Sequence, residues 1–283
     1  MTRITVVGTG YTGSRILKRL PEGQADGISR SIPEGIDASR ITQLDLDDDL
    51  PSVTAARSIV YTVAPPREGA DERLDRLFSS LRQPPRRFVY LSTTGVYGDR
   101  QGERVVETDA VAPQTARAKQ RVAAEKLLEE RCKESDCSLV VLRVPGIYGP
   151  GRLGIDRIRQ AEAMIREREA NPGNRIHVDD LVTCCIAAAD PETPAGIYNL
   201  GDGDTRSSTW FSCEVARQLR IEPGPQIPRE QAESEFSERR LSFLSESRRI
   251  DTTRMREVLG VTPVYANPED GIRASLAAEG TSL

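Results

Sequence analysis

Histidine is almost absent from this sequence, and long apolar segments are absent altogether. The single histidine, His177, excludes metal sites built from several imidazoles, and it is the one residue around which a Ser/His/Asp triad could form. The five cysteines are odd in number and irregularly spaced, which argues against the disulfide framework of a secreted protein. No apolar segment approaches the roughly 20 residues that a membrane-spanning helix needs. We therefore expect neither a metal site nor a membrane partner.

Charge is also evenly spread along the chain. The 283 residues include 39 basic and 43 acidic side chains, for a net charge of −4, with no long run of either sign. A nucleic-acid partner would normally require a basic stripe, so we expect none. The sequence opens with Met1-Thr2-Arg3 and enters an apolar segment too short for a signal peptide. We expect a cytoplasmic protein whose partner is a small molecule.

Short apolar segments alternate with helical patterns over the first half of the chain. Strands are predicted at 4–7, up to 28, 41–44, 59–63, 88–91 and 138–144. Helices are predicted at 14–20, 71–81 and 115–134, where apolar residues recur at helical spacing. Repeated strand–helix–strand units form right-handed crossovers, so the sequence predicts an α/β fold with a doubly wound parallel sheet of the Rossmann type.

A glycine pattern follows the first predicted strand and precedes the first predicted helix: Gly8-Thr9-Gly10-Tyr11-Thr12-Gly13. In this context the glycines allow a tight turn, close approach of a pyrophosphate and close packing of helix on strand. An acidic residue after the second strand would bind the ribose of NAD, but this sequence has Ser29-Arg30-Ser31 there. A cation between two hydroxyls suits a 2′-phosphate, which predicts NADP rather than NAD. The alternative is that Arg30 is a solvated surface charge.

Beyond residue 150 helical segments dominate, with Pro- and Gly-rich joints between them. Helices are predicted at 155–168, 181–189, 210–219 and 268–278. We expect residues 1–150 to form the NADP-binding domain, with 175–201 returning to its sheet. Residues 151–174 and 202–283 are expected to form a smaller, mainly helical substrate-binding lobe over the carboxyl ends of the strands.

Further motifs follow the glycine loop in a fixed order. They are Asp45-Leu46, Ala64, STTGVYG at 92–98, LRVPGIYGPG at 142–151, NRIHVDDL at 174–181 and YNL at 198–200. With these motifs the chain resembles the extended, atypical short-chain dehydrogenase/reductases of the NAD-dependent epimerase/dehydratase family over nearly its whole length. The resemblance implies that Asp45 and Leu46 contact adenine, that Ala64 and Pro145 belong to the cofactor site, and that the helix at 115–134 forms a homodimer interface.

The sequence departs from this family at the residues that carry the reaction. The family uses a tyrosine to transfer the proton and a lysine four residues later to lower its pKa and hold the nicotinamide ribose. The matching positions here are Arg117 and Arg121. Arg121 could still donate hydrogen bonds to the ribose, whereas a guanidinium with a pKa above about 12 is a poor proton-transfer group near neutral pH. If their helix face lines the cleft, the two arginines could instead bind an anionic substrate group; otherwise they are solvated.

Other side chains were weighed as catalytic groups. Thr93 matches the serine or threonine that hydrogen-bonds the reacting oxygen in the family, and local turn bonding is its alternative role. Thr115 and Lys119 have the spacing of the missing pair, but a threonine hydroxyl is far less acidic than a phenol. Tyr97 and Tyr148 are interpreted as packing residues, and His177 as a structural hydrogen-bonding residue.

The function predicted from the sequence is an NADP-dependent oxidoreductase or epimerase-like enzyme acting on a small or sugar-derived substrate. The alternative is a non-catalytic NADP-binding sensor that kept the cofactor site and lost the proton-transfer pair. The missing tyrosine favours the sensor. The YGPG and IHVDD motifs, together with a full C-terminal lobe, favour the enzyme.

Overall fold

A computed structural model describes residues 3–66, 71–244 and 246–280 of the chain. The strands, in chain order, are β1 (Ile4–Val7), β2 (Ala25–Ser29), β3 (Ile41–Gln43), β4 (Ser58–Tyr61), β5 (Arg87–Thr93), β6 (Arg104–Val105), β7 (Ser138–Val144), β8 (Gly146–Tyr148), β9 (Met164–Ile165), β10 (Arg175–His177), β11 (Gly196–Asn199), β12 (Gln226–Ile227) and β13 (Arg249–Ile250). Seven of them form one sheet in the order β11-β7-β5-β4-β1-β2-β3, and every neighbouring pair is parallel. This confirms the predicted doubly wound Rossmann sheet.

Helices cover both faces of this sheet. In chain order they are α1 (Tyr11–Arg19), α2 (Arg73–Ser80), α3 (Ala116–Glu134), α4 (Ile155–Arg159), α5 (Val178–Ala188), α6 (Ser208–Leu219), α7 (Arg229–Glu235), α8 (Glu238–Leu244), α9 (Thr253–Glu257) and α10 (Pro268–Ala278). Among the described residues, no helix combines the length and apolarity needed to cross a membrane.

Alternating side chains of the strands separate the core into two layers. Val6 belongs to the layer that contains Leu17 of α1 and Leu181 of α5, whereas its neighbour Val7 belongs to the layer that contains Leu74 of α2 and Leu128 of α3. This follows because successive side chains of a strand point to opposite faces of the sheet. Strands buried on both faces explain why the sequence shows continuous apolar segments instead of polar–apolar alternation.

The chain outside the large sheet forms small parallel strand pairs and a further apolar cluster. β8 pairs with β10, β9 with β12, and β6 with β13. Residues of α4, α6 and α10 pack around Tyr148 in a cluster that includes Ile158, Val215 and Ile272. β11, in contrast, lies beside β7 at the edge of the large sheet, as the YN motif suggested.

The predicted helix at 155–168 is wrong. α4 ends after one turn and a half at Arg159, and Ala161 has a left-handed backbone with φ of +50°. The chain then forms β9, where the amide of Met164 donates to the carbonyl of Pro225 at 2.8 Å. The helical spacing of apolar residues here reflects two separate buried segments, since Ile158 and Met164 pack in different elements.

One carboxylate of the fold is buried without full compensation. Asp202 is 2% exposed, and its Oδ1 accepts a hydrogen bond from the amide of Asp204 at 2.9 Å. Its other oxygen has no hydrogen-bond partner among the described residues. Burial raises the pKa of Asp202 to about 7, although the Asp204 amide and the nearby Arg175 guanidinium act to lower it. Between about pH 4 and pH 7, the folded protein therefore holds a proton on Asp202 that the unfolded chain releases.

This buried acid predicts a pH dependence of stability. The unfolded carboxyl titrates near pH 4, so the stability that its retained proton contributes falls as pH rises from about 4 to 7 and is constant above that. Asp202→Asn keeps the acceptor oxygen and removes the titration. We expect a smaller difference in unfolding free energy between pH 5 and pH 8 in this variant, by on the order of 1 kcal/mol per unit of raised pKa.

Thermal or urea unfolding at the two pH values measures this effect. His177, whose pKa is lowered by burial, acts in the opposite sense but is common to both proteins, so the comparison isolates Asp202. Asp156→Asn, at an exposed position of α4, is the control and should leave the pH dependence unchanged. An Asp202→Asn profile identical to that of the parent protein would mean that Asp202 is ionised in the fold.

Candidate functional site

The turn between β1 and α1 requires glycine at two positions for reasons internal to the protein. Gly8 has a φ of +87°, and a Cβ there would lie 2.6 Å from the Val63 side chain. A Cβ at Gly13 would lie 2.0 Å from the carbonyl oxygen of Gly8. At Gly10, in contrast, a Cβ would meet no protein atom within 4 Å, because this residue faces a cleft. The space kept open at Gly10 suits a ligand that approaches the backbone closely.

The start of α1 is suited to an anion. α1 begins at Tyr11 beside the cleft and has no acidic residue in its first turn, while Lys18 and Arg19 lie in its last turn. Unpaired amide groups and the helix dipole make such an N-terminus attractive for phosphate groups. The residues present therefore fit the pyrophosphate of a dinucleotide.

The cleft has a volume of about 520 Å³ and lies at the carboxyl ends of the central strands. Most of the predicted cofactor residues line it: Gly8, Gly10, Tyr11, Thr12, Ser29, Arg30, Ser31, Asp45, Leu46, Ala64 and Arg121. Gly13 and Pro145 do not line it. Gly13 instead packs beneath the loop against Gly8, and Pro145 follows the lining residue Val144 at the end of β7.

Two arginines lie near the β2 end of the cleft, and they differ in their partners. Arg30 is exposed, and within the described residues its guanidinium makes no hydrogen bond or ion pair. Arg73, which the sequence analysis missed, is bound to Asp71 at 3.0 Å and to the carbonyl of Ala64 at 3.0 Å. Only Arg30 thus has its full set of donors available to a ligand.

Arg121 is held against the opposite wall of the cleft. Its Nη1 donates to the phenolic oxygen of Tyr90 at 3.0 Å and to the carbonyl of Leu91 at 2.6 Å. Tyr90 is itself buried, and burial is the main cause that raises the pKa of its phenol, so it remains neutral. Both hydrogen bonds use Nη1 of Arg121, and the residue lines the cleft. The sequence could not reveal Tyr90 as this partner, because Tyr90 lies on β5, 31 residues before Arg121 in the chain.

The other two predicted catalytic residues lie outside the cleft lining. Arg117 is exposed in the first turn of α3 and does not line the cleft, so it does not act with Arg121 as a pair there. The hydroxyl of Thr93 accepts a hydrogen bond from the amide of Gly95 at 3.2 Å, which is the local turn bonding weighed as its alternative role. Its neighbour Ser92 lines the cleft. A catalytic role for Thr93 stays a prediction.

A buried polar network lies behind this wall of the cleft and was also missed. Glu125 of α3 accepts hydrogen bonds from the hydroxyl of Ser92 and from Nη2 of Arg143, the latter at 2.8 Å. Arg143 is 3% exposed and stacks over Tyr97, whose hydroxyl donates to Asn199 at 2.7 Å. A buried charge requires such pairing. Arg143 within the LRVPG motif could have indicated a buried ion pair, but its partner Glu125 lies in a different part of the sequence.

Tyr11 connects the glycine loop to the YGPG motif. Its hydroxyl donates to the carbonyl of Pro150 at 2.9 Å, and its ring lies between the guanidinium groups of Arg15 and Arg152, each 3.9 Å from the ring centroid. Cation–π contacts on both faces hold the ring in place. Tyr11 is the phenol among the cleft-lining residues, and its proton is committed to Pro150.

His177, Tyr97 and Tyr148 are all buried, and their interpretation as structural residues stays a prediction. His177 is 1% exposed, and its Nδ1 accepts from the amide of Asp179 at 3.2 Å, so Nε2 carries the proton toward the Ser275 hydroxyl at 3.2 Å. Burial is the main cause that lowers its pKa, which keeps the ring neutral. Asp180, in the first turn of α5, accepts hydrogen bonds from the amides of residues 264 and 265 at 2.8 and 3.0 Å.

A second cavity of about 220 Å³ lies beside the cleft, and Arg152 lines both. Its polar lining includes Arg157, Glu162, Ser208 and Arg240, and apolar side chains complete it. Arg157 is bound to Glu162 at 2.9 Å, which removes much of its charge from the cavity. No group of three or more metal-ligating side chains occurs in the parts of the chain that the structure describes.

Comparison with known proteins agrees with this architecture. YeeZ from Escherichia coli strain K12 is 25% identical over 246 residues, which cover 79% of this chain and 86% of YeeZ. An ADP-L-glycero-D-manno-heptose-6-epimerase from Cupriavidus pinatubonensis is 24% identical over 213 residues, covering 65% of this chain and 63% of that enzyme.

Solved structures share the whole fold. A conserved protein of unknown function from Silicibacter pomeroyi is 29% identical, with a TM-score of 0.82 over 98% of this chain and 99% of that one. MoeE5 in complex with UDP-glucose and NAD has a TM-score of 0.75 at 18% identity, over 99% of this chain and 100% of that one. Residues 74–201 match the model of the NAD dependent epimerase/dehydratase family.

Proposed function

We propose that this protein is an NADP-dependent oxidoreductase or epimerase-like enzyme acting on a sugar-derived substrate. The observation that carries the proposal is a single cleft lined by the glycine loop, by Ser29, Arg30 and Ser31, and by Arg121. A nicotinamide dinucleotide needs these three regions for its pyrophosphate, its adenosine ribose and its nicotinamide ribose. Two relatives are named as sugar epimerases, the heptose epimerase above and a UDP-glucose 4-epimerase from Mycolicibacterium smegmatis.

The preference for NADP rests on charge at the end of β2. Arg30 has no protein partner within the described residues, and Ser29 and Ser31 flank it at the cleft. A 2′-phosphate would receive a charge-assisted hydrogen bond from the guanidinium, while the ribose hydroxyl of NAD would leave the cation unpaired. Asp45 and Asp47 also line the cleft. Asp45 already accepts a hydrogen bond from the amide of Asp47 at 3.1 Å, and the Asp47 carboxylate is paired with Arg73 at 3.6 Å.

The second cavity is proposed as the binding site of the substrate. It adjoins the cleft at Arg152, so a molecule bound there would extend toward the cofactor site. Arg152 makes its described side-chain contact with the ring of Tyr11, which leaves the hydrogen-bonding groups of its guanidinium for an anionic substituent. A sugar carrying a phosphate or nucleotide group has the polarity that this lining requires.

The residues of the chain divide the work of the reaction as follows. The bound cofactor supplies hydride chemistry. Arg121 would donate hydrogen bonds to the ribose hydroxyls and add positive potential beside the reacting oxygen, and Thr93 would hydrogen-bond that oxygen. Tyr90 and Leu91 fix the position of Arg121. No step needs a guanidinium to release its proton.

The alternative of a non-catalytic sensor gains no support from the comparisons. A cytoplasmic location and a homodimer formed through α3 remain predictions of the sequence. Turnover decides between enzyme and sensor: NADPH oxidation or sugar interconversion should appear in a panel of nucleotide sugars, aldehydes and ketones. Tight cofactor binding without turnover across the panel would favour the sensor.

Replacing Arg30 should remove the preference for NADPH. Loss of a charge-assisted hydrogen bond of about 1.5–3 kcal/mol corresponds to roughly 10- to 100-fold weaker binding. We expect Arg30→Ala to weaken NADPH binding by about this factor and to leave NADH binding nearly unchanged, measured by fluorescence titration. Arg82→Ala, an exposed position outside the cleft lining, is the matched control. Equal affinity of the parent protein for both cofactors would contradict the NADP assignment.

Replacing Arg121 should weaken binding of both cofactors. Arg121→Met removes the donors at the cleft wall, and we expect about tenfold weaker binding of NADPH and NADH alike, since the ribose is common to both. Lys126→Met, exposed on the same helix, controls for changes in the stability of α3. Unchanged affinity in Arg121→Met would place the nicotinamide ribose elsewhere.

The hydroxyl of Thr93 is tested by a conservative pair of variants. With a substrate found in the panel, Thr93→Val should lower kcat by about tenfold or more through loss of a hydrogen bond to the reacting oxygen. Thr93→Ser keeps the hydroxyl and should retain most of the rate. If both variants turn over at the parental rate, Thr93 has only its structural bond to Gly95.

A further inference from the structure

The end of α3 brings two cysteines together. The helix ends at Glu134, Ser135 is its C-terminal cap, and Asp136 adopts a left-handed backbone with φ of +51°. The amide of Cys137 then donates to the carbonyl of Cys132 at 2.8 Å. A hydrogen bond that spans six residues at a helix end, with a left-handed residue just before the donor, defines a Schellman motif.

The Schellman motif determines which side chains meet. The residue that donates this bond and the residue that accepts it are commonly in apolar contact, a role usually filled by aliphatic side chains. Here both positions are cysteine, and the thiols of Cys132 and Cys137 are close enough to interact. Both pack within the same apolar cluster beneath α3. The two cysteines are therefore brought together by the local geometry of the helix end and not by packing between segments that are distant in the sequence.

The two thiols differ in access. Cys132 is 3% exposed, and hydrogen bonding to Cys137 together with burial raises the pKa of its thiol. Cys137 is half-buried, so it is the thiol that an oxidant in solution reaches first. Both are free thiols in the structure. This arrangement, one accessible thiol with a second in contact behind it, is that of an attacking and a resolving cysteine.

We propose that Cys132 and Cys137 form a redox-sensitive dithiol that is oxidised to a disulfide by glutathione disulfide or a similar small disulfide. The Cys137 thiol loses its proton and attacks one sulfur of the oxidant, and the departing glutathione thiolate takes up a proton. The Cys132 thiol then loses its proton and attacks the Cys137 sulfur, which releases the second glutathione. Two protein thiols are oxidised and one glutathione disulfide is reduced to two glutathione molecules.

The disulfide would link the end of α3 to the start of β7. Arg121 lies 11 residues before Cys132, about 16 Å along the helix axis, so the modification does not touch the cleft. The inference is independent of the proposed enzymatic function. Either can fail without affecting the other.

Tryptic digestion without reduction tests the proposal directly. Cleavage after Arg131, Lys133 and Arg143 separates Cys132 and Cys137 into peptides 132–133 and 134–143. After treatment of the folded protein with glutathione disulfide, we expect these two peptides to appear joined, with the mass of two hydrogen atoms lost. Reduction should separate them. Glutathione retained on Cys137 of the parent protein, or a disulfide made with another cysteine, would overturn the proposal.

Single variants test the order of events. Cys132→Ala removes the resolving thiol, so Cys137 should accumulate a stable glutathione adduct. Cys137→Ala removes the attacking thiol, and Cys132 should stay unmodified. Cys213→Ala, at another half-buried cysteine in α6, should leave the yield of joined peptides unchanged. A joined product in Cys137→Ala, or an adduct on Cys132 in that variant, contradicts the assigned order, and the parent digest remains decisive if a variant does not fold.

Discussion

The close contact between Gly13 and the carbonyl of Gly8 is the constraint on which the site depends. A Cβ at Gly13 would lie 2.0 Å from that oxygen, so any other residue would force α1 away from the sheet. The same carbonyl accepts a hydrogen bond from the Thr62 hydroxyl at 2.6 Å, which ties the end of β1 to the segment after β4. These are the two strands from which the sheet is wound in opposite directions. One turn thus fixes the helix start, the cleft floor and the position where a ligand can enter between them.

The arginines near the cleft differ in how many of their hydrogen-bond donors are already bound to the protein, and therefore in how many are available to a ligand. Arg73 donates hydrogen bonds to Asp71 and to a backbone carbonyl, and Arg157 is paired with Glu162. Arg30 has no such partner in the described chain, and Arg121 uses one nitrogen of three. A guanidinium is always charged near neutral pH, so the value of each arginine to an anionic ligand depends on how many donors the protein has left unused. Sequence alone does not show this difference.

The sequence predicted the sheet well because its signals are local. Continuous apolar segments marked β1 and β7 with their correct ends, and the glycine loop marked the cleft. The failures share one cause, which is pairing between distant residues. The helix expected at 155–168 is interrupted because Met164 pairs with a strand about 60 residues later. Likewise, Asp180 accepts hydrogen bonds from the amides of residues 264 and 265, which lie far away in the sequence. Nothing in the sequence identified Arg121 as the partner of Tyr90, or Arg143 as the partner of Glu125.

Two adjacent residues of β5 hold α3 in position beside the cleft. The carbonyl of Leu91 binds Arg121, and the hydroxyl of Ser92 binds Glu125. Arg121 and Glu125 are one helical turn apart and so share a helix face. Arg143 completes the second anchor from β7 by pairing with Glu125. Because Arg121 and Glu125 both bind β5, the face of α3 beside the cleft is held at two points one helical turn apart.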